Sequence, residues 1–199
     1  GVEYFIPFLA IGVFGYQYTQ RSTMQGAKSI VSNLGLLRSI SFPRAMLPLT
    51  TVVTETLAFL PTVAVMFAVA LVAGVPISIT WLLVVPLIGL HFLFNTGAAF
   101  VVARLNHGFR DIENILPFLF RLLFYGSGVL FYVGAYLDNP SLRWLFIGNP
   151  LFCFLALYRW AVLDMPAVWT EVASAVVWTL VLLVGGLWWF RRGEASYGG

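Results

Sequence analysis

Charged side chains are scarce in this sequence. Asp, Glu, Lys and Arg together make up 10% of its 199 residues, whereas hydrophobic residues make up 60%, and the mean hydropathy is +0.91. A typical soluble domain carries about 25% charged residues. The composition therefore excludes a globular enzyme built around one buried core, and it predicts an all-α protein that crosses a membrane several times.

Residues that commonly carry enzymatic chemistry are also few. Cys153 is the only cysteine, which excludes an intrachain disulfide and a cysteine metal cluster. His91 lies in an apolar run and His107 in a basic loop, and both are expected to be structural rather than metal ligands. The sequence contains no Gly-x-x-x-x-Gly-Lys-Ser/Thr motif, so this chain is not expected to hydrolyse ATP itself. We therefore predict no catalytic residue, metal or cofactor in this chain.

The formal net charge of +3 does not indicate a nucleic-acid partner. The basic residues are scattered at the ends of hydrophobic segments, where they determine membrane topology. Gly1 opens almost directly into an apolar run without a basic region before it, so no cleavable signal peptide is expected. Because the chain does not begin with Met, we expect an upstream part of the natural protein to be missing.

Hydrophobic runs predict five membrane spans. They cover residues from about 4 into the twenties, then 47–72, 81–102, 115–133 and 168–190. Polar residues recur at helical steps in the first helix, which is expected to continue to residue 32 with a stripe facing protein or water. These residues are Gln17, Gln20, Arg21, Gln25, Lys28 and Ser32. The alternative is that the span ends near Tyr18 and that residues 20–28 are cytosolic.

Residues 138–166 do not fit a single crossing. Gly148-Asn149-Pro150 splits their apolar residues into two pieces, each shorter than the ~20 residues that a span requires. We predict a re-entrant hairpin on the extracytoplasmic side. The charges support it, because most cations then lie on one side, which is cytoplasmic by the positive-inside rule. These cations are Lys28, Arg38, Arg44, Arg104, Arg110, Arg191 and Arg192, against Arg143 and Arg159 on the other side.

This topology places the C-terminus in the cytoplasm and residue 1 outside. A cytoplasmic natural N-terminus would add one upstream span, giving six in the full protein. Because no internal repeat is visible, the two-fold arrangement common in transporters would have to come from dimerisation.

An amphipathic segment at residues 32–44 lies between the first two spans. Asn33 can cap its start, Leu34 and Leu37 lie on its apolar stripe, and Pro43 stops the helix. Arg38 lies at its polar edge. The spacing leaves two alternatives open, a surface that another protein grips or an interfacial helix resting on lipid headgroups.

Three motifs carry a family resemblance that covers nearly the whole chain. They are Asn33-Leu34 through Arg38 to Phe42-Pro43-Arg44 and Leu47-Pro48, Arg110-Asp111-Ile112 with Leu116-Pro117-Phe118-Leu119, and Asn149-Pro150-Leu151 with Tyr158-Arg159. In this order they resemble the permease subunit of ABC-2 type polysaccharide exporters, of the Wzm and teichoic-acid-exporter types. The chain departs from the family at Ser39 and Ala45, where members often carry a basic and an acidic residue. It also departs at Arg121, where a neutral polar residue is more usual.

The resemblance implies that residues 1–199 form one ABC-2 (type V exporter-like) transmembrane domain. It implies a homodimeric channel in the cytoplasmic membrane, powered by two copies of a separate ATP-binding subunit that carries ATP and Mg²⁺. It implies a lipid-pyrophosphate-linked polysaccharide as cargo, galactan- or O-antigen-like, for cell-wall biogenesis. The sequence as a whole resembles the galactan branch most.

The coupling helix that the resemblance implies spans residues 32–44. The residues that would contact the ATPase are Asn33, Leu34, Leu37, Arg38, Phe42 and Arg44. We predict that ATP-driven closure of the two partner subunits pushes on this helix and tilts the attached spans.

Charges and aromatic residues within the spans predict a substrate path. Arg21, Lys28 and Arg121 are expected to guide the pyrophosphate of a lipid carrier, although Arg121 could instead pair with Glu55 and hold two spans together. Tyr125, Tyr132 and Tyr136 follow helical steps, and they either pack in a core or form a face that borders the polysaccharide.

The hairpin is predicted to act as an outer gate through Asn149, Pro150, Tyr158 and Arg159. Arg143 and Arg159 are expected to meet phosphate or headgroups at the outer surface. Three other functions remain open: a small-molecule or drug exporter of the same superfamily, a membrane enzyme acting on lipid-linked sugars, and a structural anchor.

Overall fold

A computed structural model describes residues 4–35, 43–132, 140–167 and 169–194, apart from the side chains of residues 140–143. The described α-helices are α1 (Phe5–Lys28), α2 (Met46–Val72), α3 (Val84–Gly108), α4 (Ile112–Gly126), α5 (Pro140–Ile147), α6 (Pro150–Leu163), α7 (Trp169–Leu180) and α8 (Gly186–Arg192). Short 3₁₀ turns at Val31–Asn33 and Ile79–Leu83 follow α1 and precede α3, and a π-helical turn at Val181–Gly185 joins α7 to α8. The described residues contain no strand, so the predicted all-α class is confirmed.

Three of the described helices are long and apolar enough to cross a membrane. They are Met46–Val72, Ile79–Gly108 and Trp169–Arg192, and they correspond to the predicted second, third and last spans. Large apolar side chains stay exposed on them, such as Leu57 on α2 with 61% of its surface accessible. Such faces are compatible with contact to hydrocarbon.

The first helix continues well past Tyr18, as predicted, but it ends at Lys28, four residues before the predicted end at residue 32. Its buried polar face differs from the expected stripe, because Thr19, Ser22 and Thr23 point inward while Arg21 is exposed. The helix packs against α2, α3, α4 and α6. The hydroxyl-bearing face is buried because these neighbours surround it.

The predicted fourth span is wrong in its length. Residues 115–133 were expected to form one helix, but α4 ends at Gly126. Ser127 and Gly128 form a turn, and Gly128 has a φ of 62°, a backbone conformation that glycine adopts without steric cost. With 15 residues, α4 alone is shorter than the ~20 residues that a span requires.

A small second core joins α2, α3 and α8 to the turn after α1 at one end of the bundle. It consists of Ile30, Leu47, Phe100, Ala103 and Phe190, with Leu34, Ala45 and Leu187 packed against it. We call it the basal core. Lys28, Arg44, Arg104, Arg191 and Arg192 lie within three residues of its members in sequence, so these cations share one end of the bundle. This end is called the basic end below.

The last helix touches α3 backbone to backbone. A Cβ atom added at Gly97 would lie 2.7 Å from the Leu182 carbonyl oxygen, and one added at Gly186 would lie 2.7 Å from the Gly97 carbonyl oxygen. Small residues permit such close approach between membrane helices. The π-helical turn lies at this contact.

The helices α5 and α6 are separated by Gly148 and Asn149, where the sequence predicts a break. The turn lies beside the middle of the last helix, because the indole Nε1 of Trp178 donates a hydrogen bond to the Gly148 carbonyl oxygen over 3.1 Å. At the other end of α6, the Trp81 indole Nε1 donates to the Val162 carbonyl oxygen over 3.1 Å. Thus α6 runs from mid-bundle to the end where α3 begins, opposite the basic end.

Candidate coupling surface and substrate path

Both described ends of the 32–44 segment are fastened to the basal core. Leu34 and Ala45 pack against it, and Arg44 is half-buried in the turn before α2. Leu37, Arg38 and Phe42 lie outside the described residues. A displacement of this segment would therefore act directly on the packed ends of α1, α2, α3 and α8.

Asn33 closes the helix before the segment. Its side-chain Nδ2 donates a hydrogen bond to the Ser29 carbonyl oxygen over 2.8 Å, and that carbonyl lies just past the end of α1. Asn33 was expected to cap the start of the next helix, but its described hydrogen bond goes back to the end of α1. Carbonyl groups at a helix C-terminus lack intrahelical partners, which explains this hydrogen bond.

The predicted path residues on α4 lie on its exposed face. Leu116 and Phe120 are buried, whereas Tyr125 has 62% of its surface accessible and Arg121 is exposed. The Arg121 guanidinium carbon lies 5.8 Å from the centre of the Phe118 ring. The face therefore presents a cation beside an aromatic ring.

Tyr132 is also exposed, but it does not continue that helical face. It follows the turn after Gly126, and its ring meets the Phe8 ring edge-on at 6.5 Å between centroids. The predicted helical alignment of Tyr125 with Tyr132 is therefore wrong, because the helix between them ends. Tyr136 lies outside the described residues.

Arg21 and Glu55 share a small groove between α1 and α2. Its other lining residues are Phe14, Gln17, Tyr18, Ala58, Phe59 and Thr62. Glu55 thus shares this groove with Arg21 of α1. The sequence analysis had instead named Arg121 on α4 as a possible partner of Glu55. Lys28 is exposed at the end of α1, about 10 Å along the helix axis from Arg21.

Asn149 and Pro150 fix the start of α6. The Asn149 Oδ1 atom accepts the Leu151 amide over 3.0 Å, and Pro150 occupies the first helical position, a local arrangement that favours helix initiation. The Asn149 Nδ2 group also donates to the Gly126 carbonyl at 3.2 Å and to the Ser127 hydroxyl at 3.0 Å. The same side chain therefore ties α6 to the end of α4.

Arg159 lies in the interior, with 4% of its surface accessible. Its guanidinium donates to the carbonyl oxygens of Gly128 at 2.9 Å and Val129 at 3.1 Å, and its carbon lies 3.5 Å from the centre of the Phe8 ring. The expectation that Arg159 meets phosphate or headgroups at the outer surface is wrong, because the side chain is buried and its two Nη groups donate to these carbonyls just past the end of α4. Gly12 leaves room for the guanidinium, since a Cβ atom there would lie 2.6 Å from Nη2.

Tyr158 belongs to a buried polar network. Its hydroxyl lies 3.3 Å from His91 Nδ1, and His91 Nε2 lies 2.5 Å from the Thr19 hydroxyl. The His91 ring also stacks on Phe154 at 4.4 Å between centroids. Both ring nitrogens thus have partners, which accords with the structural role expected for His91. The sequence missed the network because its members lie on α1, α3 and α6.

No protein-family model matches the chain. Two curated proteins from Klebsiella pneumoniae, both named O-antigen export system permease protein RfbA, are each 26% identical to it over 186 residues. The matched region covers 93% of this chain and 71% of each relative. The chain is thus similar over most of its length to proteins named as O-antigen export permeases.

A third such permease, from Myxococcus xanthus, is 26% identical over 155 residues, which cover 76% of the chain and 58% of that relative. These similarities confirm the resemblance to ABC-2 polysaccharide-exporter permeases that the sequence motifs predict. With the three apolar helices, they support a multi-pass membrane protein of the transporter-subunit class. The galactan branch stays a prediction.

Proposed function

We propose that this chain is the permease subunit of an ATP-driven exporter that moves a lipid-linked polysaccharide, O-antigen- or galactan-like, across the cytoplasmic membrane. Two copies form the channel, and two separate ATP-binding subunits drive it. The observation that carries the proposal is the similarity to O-antigen export permeases over 93% of the chain.

The proposed topology has five spans and a re-entrant hairpin in this chain, and the fourth span consists of α4 together with the residues that follow it. The basic end faces the cytoplasm, because cations accumulate on that side of membrane proteins. The C-terminus lies there too, since Arg191 and Arg192 end the last helix. The hairpin consists of α5 and α6, and the contact of its Gly148 turn with Trp178 in mid-helix supports it.

Energy enters through residues 32–44. The ATP-binding subunits push on this segment, and the basal core passes the displacement to the helices that meet there. Leu34 within the segment and Ala45 directly after it are packed against that core. Close packing transmits displacement rather than absorbing it, because protein interiors have low compressibility.

The cargo moves along the exposed face of α4. Arg121 attracts the pyrophosphate of the lipid carrier, and Tyr125 and Tyr132 offer flat surfaces to sugar rings. Arg21 and Lys28 contribute cations from α1. The second copy faces this surface, so that both protomers line one conduit.

The hairpin closes the conduit on the outer side. Asn149 and Arg159 both bind to backbone carbonyls at the end of α4, so the hairpin and the cargo-facing helix move together. Asn149 and Arg159 therefore position the hairpin that serves as the gate, and Arg159 does so from the protein interior.

Copurification tests the proposal. The full-length permease should bring down an ATP-binding subunit, and lipid-linked glycan should stimulate ATP hydrolysis by the complex. Stimulation by hydrophobic drugs without stimulation by glycan would favour a drug exporter instead. A complex without any ATPase would refute the proposal.

Crosslinking tests the coupling surface. In a Cys153→Ala background, a photoreactive probe attached at Arg44→Cys should capture the ATP-binding subunit. The matched control is Ile77→Cys, which is exposed in the connection between α2 and α3 at the opposite end. Capture of the ATPase from residue 77, or of lipid alone from residue 44, would contradict the coupling mechanism.

A further inference from the structure

The C-terminal half of the last helix, toward the basic end, presents a groove that the proposed transport cycle does not use. The groove is lined by Leu183, Val184, Leu187, Trp188, Arg191 and Arg192. Its part near Leu183 is apolar, and its part at the basic end carries two guanidinium groups. None of its lining residues is acidic. The groove therefore combines a hydrocarbon-compatible surface with two guanidinium groups, and no carboxylate stands among the residues that line it.

One of the two cations is held in a fixed position. The Arg192 guanidinium carbon lies 3.8 Å from the centre of the Trp188 ring, so the group is stacked on the indole face. A stacked guanidinium keeps its N–H groups free to donate within its plane. Arg191 is exposed beside it, so the pair can converge on one phosphate.

Arg104, at the same end of the bundle, provides a contrast. Its guanidinium donates a hydrogen bond to the Trp189 carbonyl oxygen and lies 4.6 Å from the centre of the Trp189 ring. It is only half-exposed. Arg104 therefore fastens the last helix to α3, whereas the charges of Arg191 and Arg192 are directed to the surface.

The groove lies apart from the α4 face of the proposed cargo path, and only Lys28 of that path shares the basic end with it. The last helix packs against α3, α5 and α6, whereas Arg121 and Tyr125 lie on α4, which packs mainly on α1. A bilayer phospholipid fits this position better than the cargo, because the groove opens to the outside of the helix bundle and continues from apolar to basic along the helix axis.

We propose that this groove binds a phospholipid with an anionic headgroup, from the leaflet at the basic end. Arg191 and Arg192 bind its phosphate and headgroup by charge-assisted hydrogen bonds. One acyl chain lies along Leu183, Val184 and Leu187. Basic pockets on the cytoplasmic side of membrane helices recognise anionic lipids by this combination.

The test measures which lipids the assembled exporter retains. The complex is placed in nanodiscs of phosphatidylglycerol and phosphatidylcholine, and the lipids that stay bound after detergent extraction are counted by native mass spectrometry. The wild type should be enriched in phosphatidylglycerol. The double variant Arg191→Gln/Arg192→Gln should reduce that enrichment by about thirty-fold if each cation contributes as cations near a membrane surface usually do.

Three further variants separate the site from general surface charge. Arg110→Gln removes an exposed cation after α3 and should retain the lipid like the wild type. Arg191→Lys/Arg192→Lys keeps the charge and should stay within about three-fold of the wild type. Val184→Gln keeps both arginines but makes the acyl surface polar, and it should weaken retention of both phospholipids.

Three outcomes would overturn the proposal. One is equal loss in Arg110→Gln and in the double Gln variant, and another is no preference for phosphatidylglycerol over phosphatidylcholine. The third is retention of a pyrophosphate-linked carrier in place of phosphatidylglycerol, which would assign the groove to the cargo. The lipid count does not depend on export, so failure of the transport proposal would leave this result readable.

Discussion

Removing the buried guanidinium of Arg159 should destabilise the protein without touching its surface. The variant Arg159→Met keeps the length of the side chain but donates no hydrogen bond. It leaves the carbonyl oxygens of Gly128 and Val129 unpaired in the interior, at positions now bonded at 2.9 and 3.1 Å. The end of α4 then loses the connection to α6 that Arg159 makes, and the hydrogen bonds of Asn149 to Gly126 and Ser127 remain.

The expected magnitude follows from these contacts. Each buried carbonyl left unpaired costs about 1–3 kcal/mol, and the lost contact with the Phe8 ring adds about 1–2 kcal/mol. Relief from burying a cation offsets part of the loss, because desolvating an ion costs several kcal/mol. We expect a net loss of about 2–4 kcal/mol for Met. We expect a smaller loss for Arg159→Lys, which keeps the charge but cannot span both carbonyls.

Gly12→Ala provides an independent check on the same contact. A Cβ atom at residue 12 would lie 2.6 Å from the Arg159 Nη2 atom and 3.0 Å from the Val129 carbonyl oxygen, so the guanidinium must move. The double variant Gly12→Ala/Arg159→Met should therefore cost less than the sum of the single variants, because both disrupt one interaction.

Thermal unfolding of the detergent-purified permease, followed by size-exclusion chromatography, measures these effects. Arg110→Gln, an exposed arginine, is the control and should unfold like the wild type. If Arg159→Met unfolds at the wild-type temperature, or if the two substitutions at residues 12 and 159 add fully, the inferred fastening of α6 to the end of α4 is incorrect.

Three further predictions concern the helix contact at Gly97, the His91 network and Tyr125. Gly97→Val should prevent the last helix from packing on α3 and lower the yield of folded protein. Gly89→Val, also on α3, should be tolerated, because no heavy atom lies within 4 Å of its Cβ position. Equal yields of the two variants would contradict the backbone contact. His91→Phe and Tyr158→Phe should each destabilise the folded protein by about 1–3 kcal/mol. In unfolding measurements on both single variants and the double variant, the two substitutions should be coupled by about 0.5 kcal/mol or more. Strict additivity of the two effects would refute a shared network. Tyr125→Ala should slow glycan export by about three- to tenfold while Tyr125→Phe keeps most of it, as measured in reconstituted vesicles; an unchanged rate in the Ala variant would remove Tyr125 from the path.

Local signals in the sequence determined much of the architecture. Long apolar runs predicted the helices Met46–Val72 and Trp169–Arg192 nearly to their ends, because membrane-compatible composition is a property of each segment by itself. The break at Gly148-Asn149-Pro150 was also local, since an Asn cap followed by Pro starts a helix whatever surrounds it. The family resemblance depended on short motifs in a fixed order, and the similarity to export permeases confirms it.

The tertiary structure alone decided which way the functional side chains point. A sequence shows that Arg159 is a cation near a helix end, but only the packing of α6 against α1 and α4 turns it toward the carbonyls of Gly128 and Val129. The same holds for Glu55, which shares a groove with Arg21 because α1 packs against α2. Hydrogen bonds and charge contacts need atoms within a few ångströms, and the folding of distant segments sets those distances. Composition and spacing along the chain therefore determined the class of this protein, and three-dimensional packing determined the partners of its charges.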